Sequence, residues 1–418
     1  MKNFKKTVIF VLVLISCLAL VCCGNDAEKP SENEGGETEQ IQETAEDNEP
    51  QLPEGVNPDD YAKFVTFELP EGSLRDAAVN YMREQANIVW TPSKTFTYGN
   101  TYDNWAYKLT YEAGKKYHGL PYTHLSASIG EFTKLLGENG GKYSSDSTSG
   151  NEVMGAQCNS SICHSFQQFT PIVCMTSRQY MPSYKDEFIG KICGNYNVPD
   201  GVERTIDIIH ANTQEAMYEA YACADKGDVI MTNDDTKGVV HDRMVAEKAV
   251  VVKSANGKIN GNRSYLVTVE QTDTFDSTRT DGVNTTWWID HKYTFAKLYE
   301  TNYVPVTFEV YETNKGVVPY ITLDKEPNLS ALSKGVVDGT VTSNYPVRYV
   351  HISILDANGK LLNREIQRNN YDVFKVNVKK YSINLFEGIE AGNYTLLIEA
   401  GICRGDAELA RVDFTYNG

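Results

Sequence analysis

Residues 154–169 read Met154-Gly155-Ala156-Gln157-Cys158-Asn159-Ser160-Ser161-Ile162-Cys163-His164-Ser165-Phe166-Gln167-Gln168-Phe169. A small, polar lead-in of Gly155, Ala156 and Gln157 delivers Cys158, and apolar residues then recur at Ile162, Phe166 and Phe169. That spacing is helical, so the stretch predicts a loop entering a helix, with Cys158 at or near its N-terminus. Polar residues at such a start accept amide hydrogens that the first turn leaves unpaired. The partial positive charge there favours thiolate over thiol. A cysteine so placed is a candidate nucleophile. The competing reading is a small buried hydrophobe, which is what most free cysteines are.

Working outward, residues 73–88 and 126–136 upstream have helical spacing, and residues 104–112 alternate like a strand. Downstream, residues 214–224 read as a helix that Lys226-Gly227-Asp228 turns into the apolar run 229–232. Residues 239–252, 264–271 and, with interruptions, 287–310 are further strand candidates. Helices first and strands later within one unit predict an α+β fold. Beyond residue 314 the pattern changes to short alternating strands. Turn signals such as Asp356-Ala357-Asn358-Gly359 and Glu390-Ala391-Gly392-Asn393 separate them. This part predicts an all-β, immunoglobulin-like sandwich.

The chain has 418 residues and a formal net charge of −17. Residues 25–60 hold thirteen acids against one lysine, so the acidity is mainly a property of that segment. With almost nothing apolar to bury, it predicts an extended, disordered tether. No basic patch offsets it, which argues against nucleic acid as a partner. Before it, Lys2, Lys5 and Lys6 precede an apolar run ending in Leu20-Val21-Cys22-Cys23-Gly24. The run is a secretory signal whose end resembles the bacterial lipobox, with Cys23 the best-fitting lipidation site and Cys22 and Cys17 the alternatives. A lipid-anchored protein on the extracellular face of the membrane is expected. The expected divisions are 1–23 signal, 24–60 linker, 61–313 α+β unit and 314–418 sandwich. The remaining cysteines, Cys158, Cys163, Cys174, Cys193, Cys223 and Cys403, form no Cys-x-x-Cys pair and no zinc spacing, so no metal or cofactor is expected.

A cysteine nucleophile needs a base, and the base needs an orienting group. His241 sits in Val239-Val240-His241-Asp242-Arg243-Met244-Val245, where a strand would point it to one fixed face. Glu270 near the end of the next strand could face it and fix its tautomer, with Gln271 and Asp290 as alternatives. His164 follows Cys158 too closely along the helix to pair with it.

Gly119-Leu120-Pro121-Tyr122, the helix-opening Cys158, the Gly227-Asp228 turn, the strand histidine and the polar residue on the next strand occur in this order. The ordered set resembles the NlpC-type cysteine peptidases of the bacterial cell wall, papain-like hydrolases that cut murein stem peptides. The resemblance implies Cys158 as nucleophile, His241 as base and Glu270 as orienting residue, with Tyr122, Gln157 and Ser160 at the substrate. It implies amide hydrolysis of peptidoglycan through a thioester. Family members usually carry Asp before the cysteine, where this chain has Gln157. Those altered neighbours support a second function class, a catalytically inactive surface lipoprotein that binds wall polymer or protein.

Overall fold

Leu74, Ala78, Met82 and Ala86 recur four residues apart and are all buried, which makes Leu74–Asn87 a helix with one face in the core. It ends where the chain turns extended into the strand Val89–Pro92. The computed structural model describes residues 52–102, 105–234, 237–369 and 372–418. The expected signal, the lipidation site Cys23 and most of the acidic linker lie outside the described residues. Among those described, no helix is long and apolar enough to cross a membrane.

A second helix, Cys158–Phe166, packs on the first, and every one of its residues is buried. Both lie on a six-stranded sheet in which all neighbours are antiparallel. Its order is Trp287–Thr294, Tyr265–Gln271, Val239–Val245, Val229–Asp234, Val304–Thr307 and Lys191–Ile192. All six residues of Val229–Asp234 are buried, as expected of a strand covered on both faces. The expected run 287–310 is two strands, separated by the short helix Phe295–Glu300 that Thr294 caps. Helices and sheet mix in the α+β manner.

The C-terminal part consists of two four-stranded antiparallel sheets sharing one core. Ile321, Leu323, Val341 and Val376 come from one sheet, and Val350, Ile352, Ile354, Leu396 and Ile398 from the other. The first sheet contains Lys63–Thr66, paired with Tyr320–Leu323 and fastened by stacking of Phe64 on Tyr320 at 5.0 Å. The sequence boundaries put residues 61–66 with the helices, but this strand belongs to the sandwich. Leu361–Arg368 is a strand that the sequence pattern did not reveal, because it lies mostly towards solvent with little apolar alternation.

The two parts are joined by polar contacts. Arg368 Nε donates to Glu131 Oε1 at 2.5 Å, Lys134 Nζ to Glu399 Oε1 at 2.5 Å, and Gln168 Nε2 to the Cys403 carbonyl at 3.1 Å. The described residues accordingly belong to one compact unit.

Candidate active site

Placement of Cys158 begins with Gly155. A Cβ there would meet the Pro121 carbonyl oxygen at 2.1 Å, so only glycine lets the two backbones lie this close. The Ala156 amide donates to Pro121 O at 3.0 Å, and the Thr123 amide to Ala156 O at 2.9 Å. Tyr122 and Ala156 therefore form a parallel bridge, and Tyr122 stands beside the entry to the Cys158 helix. Gln157 is the N-cap residue, and its amide donates to Ser160 Oγ at 2.9 Å.

The helix is held on its far side as well. Gln85 Nε2 donates to Ser161 O at 2.9 Å, and Ser161 Oγ donates to Gln271 Oε1 at 2.8 Å. Gln271 Nε2 closes this set on Leu120 O at 2.8 Å. Gln271 thus faces the helix and is a positioning group. Asp290, the other alternative to Glu270, sits at a bulge with φ 58° and pairs with Arg83 at 2.7 Å on the surface.

His241 lies on the strand Val239–Val245, which pairs along its length with Val229–Asp234. Its other neighbour, Tyr265–Gln271, pairs with it only at Val245 and Met244. Towards His241 the ladder between the two strands ceases. Here the chain forms a cavity of about 500 Å³, with Tyr122, Gln157, Cys158, Ser177, His241 and Glu270 among the residues lining it.

Glu270 is the electrostatic hub. Its Oε2 lies 2.5 Å from His241 Nε2 and accepts from Arg243 Nε at 2.7 Å, while Oε1 accepts from the Tyr293 hydroxyl at 2.7 Å. The Arg243 guanidinium is itself held between the rings of Tyr293 and Tyr303, at 3.9 and 4.2 Å. Burial alone would raise the Glu270 carboxyl, but Arg243, His241 and Tyr293 together hold it down at about 2. An ionised carboxylate accepts only, so Nε2 of His241 carries hydrogen and Nδ1 is the basic nitrogen. Among the described residues, Nδ1 makes no hydrogen bond.

No hydrogen bond joins Cys158 to His241 among the described residues. Burial pushes the Cys158 thiol up to about 12, and the Asp242 carboxylate adds to this. The amides of Asp242 and Asn159 work in the opposite direction. Asp242 is fully buried and accepts from Ser177 Oγ at 2.5 Å, with its Oδ1 unpartnered. Burial pushes its carboxyl up to about 7, against the Ser177 hydrogen bond.

The expected residues thus divide. Tyr122, Gln157, Cys158, His241 and Glu270 share the cavity wall. Ser160 is not among the residues lining it: its hydroxyl is buried and engaged with the Gln157 backbone, where it caps the helix. His164 is also buried elsewhere, with Nε2 at 3.2 Å from Ser126 Oγ. Arg243, Tyr293, Ser177 and Asp242 were missed. Arg243 was legible, since strand alternation puts it on the face of His241. The other three depend on long-range packing. Among the described residues no group of three or more His, Cys, Asp or Glu is placed to hold a metal ion. No protein-family profile, characterised protein or solved structure matches this chain.

Proposed function

We propose that the chain is a surface-tethered cysteine hydrolase of the NlpC type, papain-like around Cys158 and followed by an immunoglobulin-like sandwich. Its substrate is an amide bond of a peptidoglycan stem peptide. The observation that carries this reading is the 2.5 Å contact of His241 Nε2 with Glu270 in the wall of the cavity that Cys158 also lines. The tether rests on the lipobox-like Cys23 and the acidic stretch behind it.

In this reading the resting thiol keeps its proton, because burial holds it far above neutral pH. His241 must therefore take that proton as the sulfur attacks the carbonyl, using Nδ1 while Glu270 steadies Nε2. Amides at the start of the Cys158 helix would receive the developing oxyanion. His241 then gives its proton to the departing amine, and a water activated by the same nitrogen hydrolyses the thioester. Neither step calls on a metal or cofactor.

The same elevated thiol favours the second reading, a non-catalytic surface protein that binds wall polymer. Digesting purified peptidoglycan with wild type, Cys158→Ala and His241→Ala, followed by mass spectrometry, separates the two. Hydrolysis predicts new free amino and carboxyl ends with wild type alone. Intact peptidoglycan that co-sediments with wild type and Cys158→Ala alike would replace the hydrolase by the binding protein.

A further inference from the structure

Six cysteines lie among the described residues, and the cavity uses only Cys158. Two of the others are neighbours. Cys163 sits five residues further along the Cys158 helix, and the chain returns past it at Cys174. The Cys174 amide donates to Cys163 Sγ at 3.2 Å, and Cys163 Sγ also lies 3.9 Å from Ile172 O. The Tyr180 hydroxyl donates to Cys174 Sγ at 3.1 Å, steering that sulfur from its other side. Gln167 Nε2 holds the returning segment through Ile172 O at 2.8 Å. Cys163 and Cys174 are 4 % and 1 % exposed.

We propose that Cys163 and Cys174 become joined by a disulfide when the chain folds in an oxidising compartment. The Cys163 sulfur already lies against the Cys174 backbone, within the short reach that a disulfide spans. The other buried thiols are directed elsewhere. Cys403 Sγ donates to Gln167 Oε1 at 3.0 Å, and Cys193 Sγ lies near Ala220 O and Asp228.

In the folded environment Cys163 is the more acidic of the two thiols. Burial alone would raise its thiol, but the thiol and amide of Cys174, with the Arg348 guanidinium beyond them, hold it below the ordinary thiol range. Its thiolate attacks one sulfur of a disulfide oxidant, such as oxidised glutathione, forming a mixed disulfide and releasing one thiol. Cys174 then loses its proton and attacks the Cys163 sulfur, and the second thiol leaves. Two electrons and two protons pass from the pair to the oxidant. Burial raises the Cys174 thiol and shields both sulfurs, so the bond forms during folding, before the core closes.

The crosslink would clasp the returning segment to the Cys158 helix. That segment runs on to Ser177, which lines the cavity and bonds Asp242, so the clasp steadies this wall. The proposal does not depend on catalysis.

To test it, the full chain is folded with a defined ratio of oxidised to reduced glutathione, then denatured in an alkylating agent. No Lys or Arg separates Cys163 from Cys174, but Phe166 and Phe169 do, so chymotrypsin splits the loop for mass spectrometry. The expected result is a linked pair of fragments carrying unalkylated Cys163 and Cys174, with Cys403 alkylated. Reduction should release the pair, and the linked form should unfold at higher temperature, a gain that Cys174→Ser abolishes. Full alkylation of both residues at an oxidising poise, or Cys163 linked to another cysteine, would overturn the proposal.

Discussion

Glu270 is a buried anion satisfied by three donors, His241, Arg243 and Tyr293. Its folded carboxyl, at about 2, lies below the ordinary carboxylate range. A depressed acid stabilises the fold above its unfolded pKa and loses that contribution as the pH falls towards its folded value. Here the contribution is about 3 kcal/mol, present above about pH 5 and fading below it. Glu270→Gln removes the anion and leaves Arg243 buried against rings, at a cost of about 3–5 kcal/mol near neutral pH. Urea unfolding of both proteins from pH 7 down to pH 3 should show the gap between them narrowing as acid is added. A gap that stays constant across that range would mean that Glu270 is not ionised in the fold.

At the scale of elements, the cavity depends on two backbone segments meeting at Gly155. A methyl group there meets the backbone carbonyl of Pro121, its oxygen at 2.1 Å and its carbon at 2.9 Å. Neither can rotate away. Gly155→Ala should destabilise by about 2 kcal/mol or more and displace Cys158, so its alkylation rate in the folded protein changes too. Gly130, in the first turn of the helix Ile129–Glu138, is the control, because a Cβ there meets nothing within 4 Å. Gly130→Ala should be neutral or stabilise by up to about 1 kcal/mol. Equal urea midpoints for Gly155→Ala and wild type would show that the close approach is not needed.

For the whole molecule, the question is how the sandwich is coupled to the α+β part. Glu131, 3 % exposed on the helix Ile129–Glu138, meets Arg368 from the strand Leu361–Arg368. Burial raises the Glu131 carboxyl, and the Arg368 guanidinium opposes it. Arg368→Ala strands that carboxylate and should cost about 3 kcal/mol, whereas adding Glu131→Gln should restore most of the loss. Denaturant unfolding should remain a single transition in all three variants, as contacts across one compact unit require. Additive losses in the double variant would mean that the pair is not coupled.

The sequence by itself determined the helix at Cys158, the helix Leu74–Asn87, most sandwich strands and the strand that carries His241. Each is written in local periodicity, which backbone geometry turns directly into a face. Choosing among Glu270, Gln271 and Asp290 needed cross-strand register, because a shift of one residue sends the side chain to the opposite face. Ser160 could not be distinguished from a substrate contact until its hydroxyl was seen on the Gln157 backbone. The tertiary structure alone decided that Lys63–Thr66 crosses to the sandwich and that Asp242 lies buried by Cys158. It alone brought Cys174 back to Cys163. Those outcomes depend on partners far along the chain, and no local pattern encodes which partner a strand edge, a buried carboxylate or a thiol will meet.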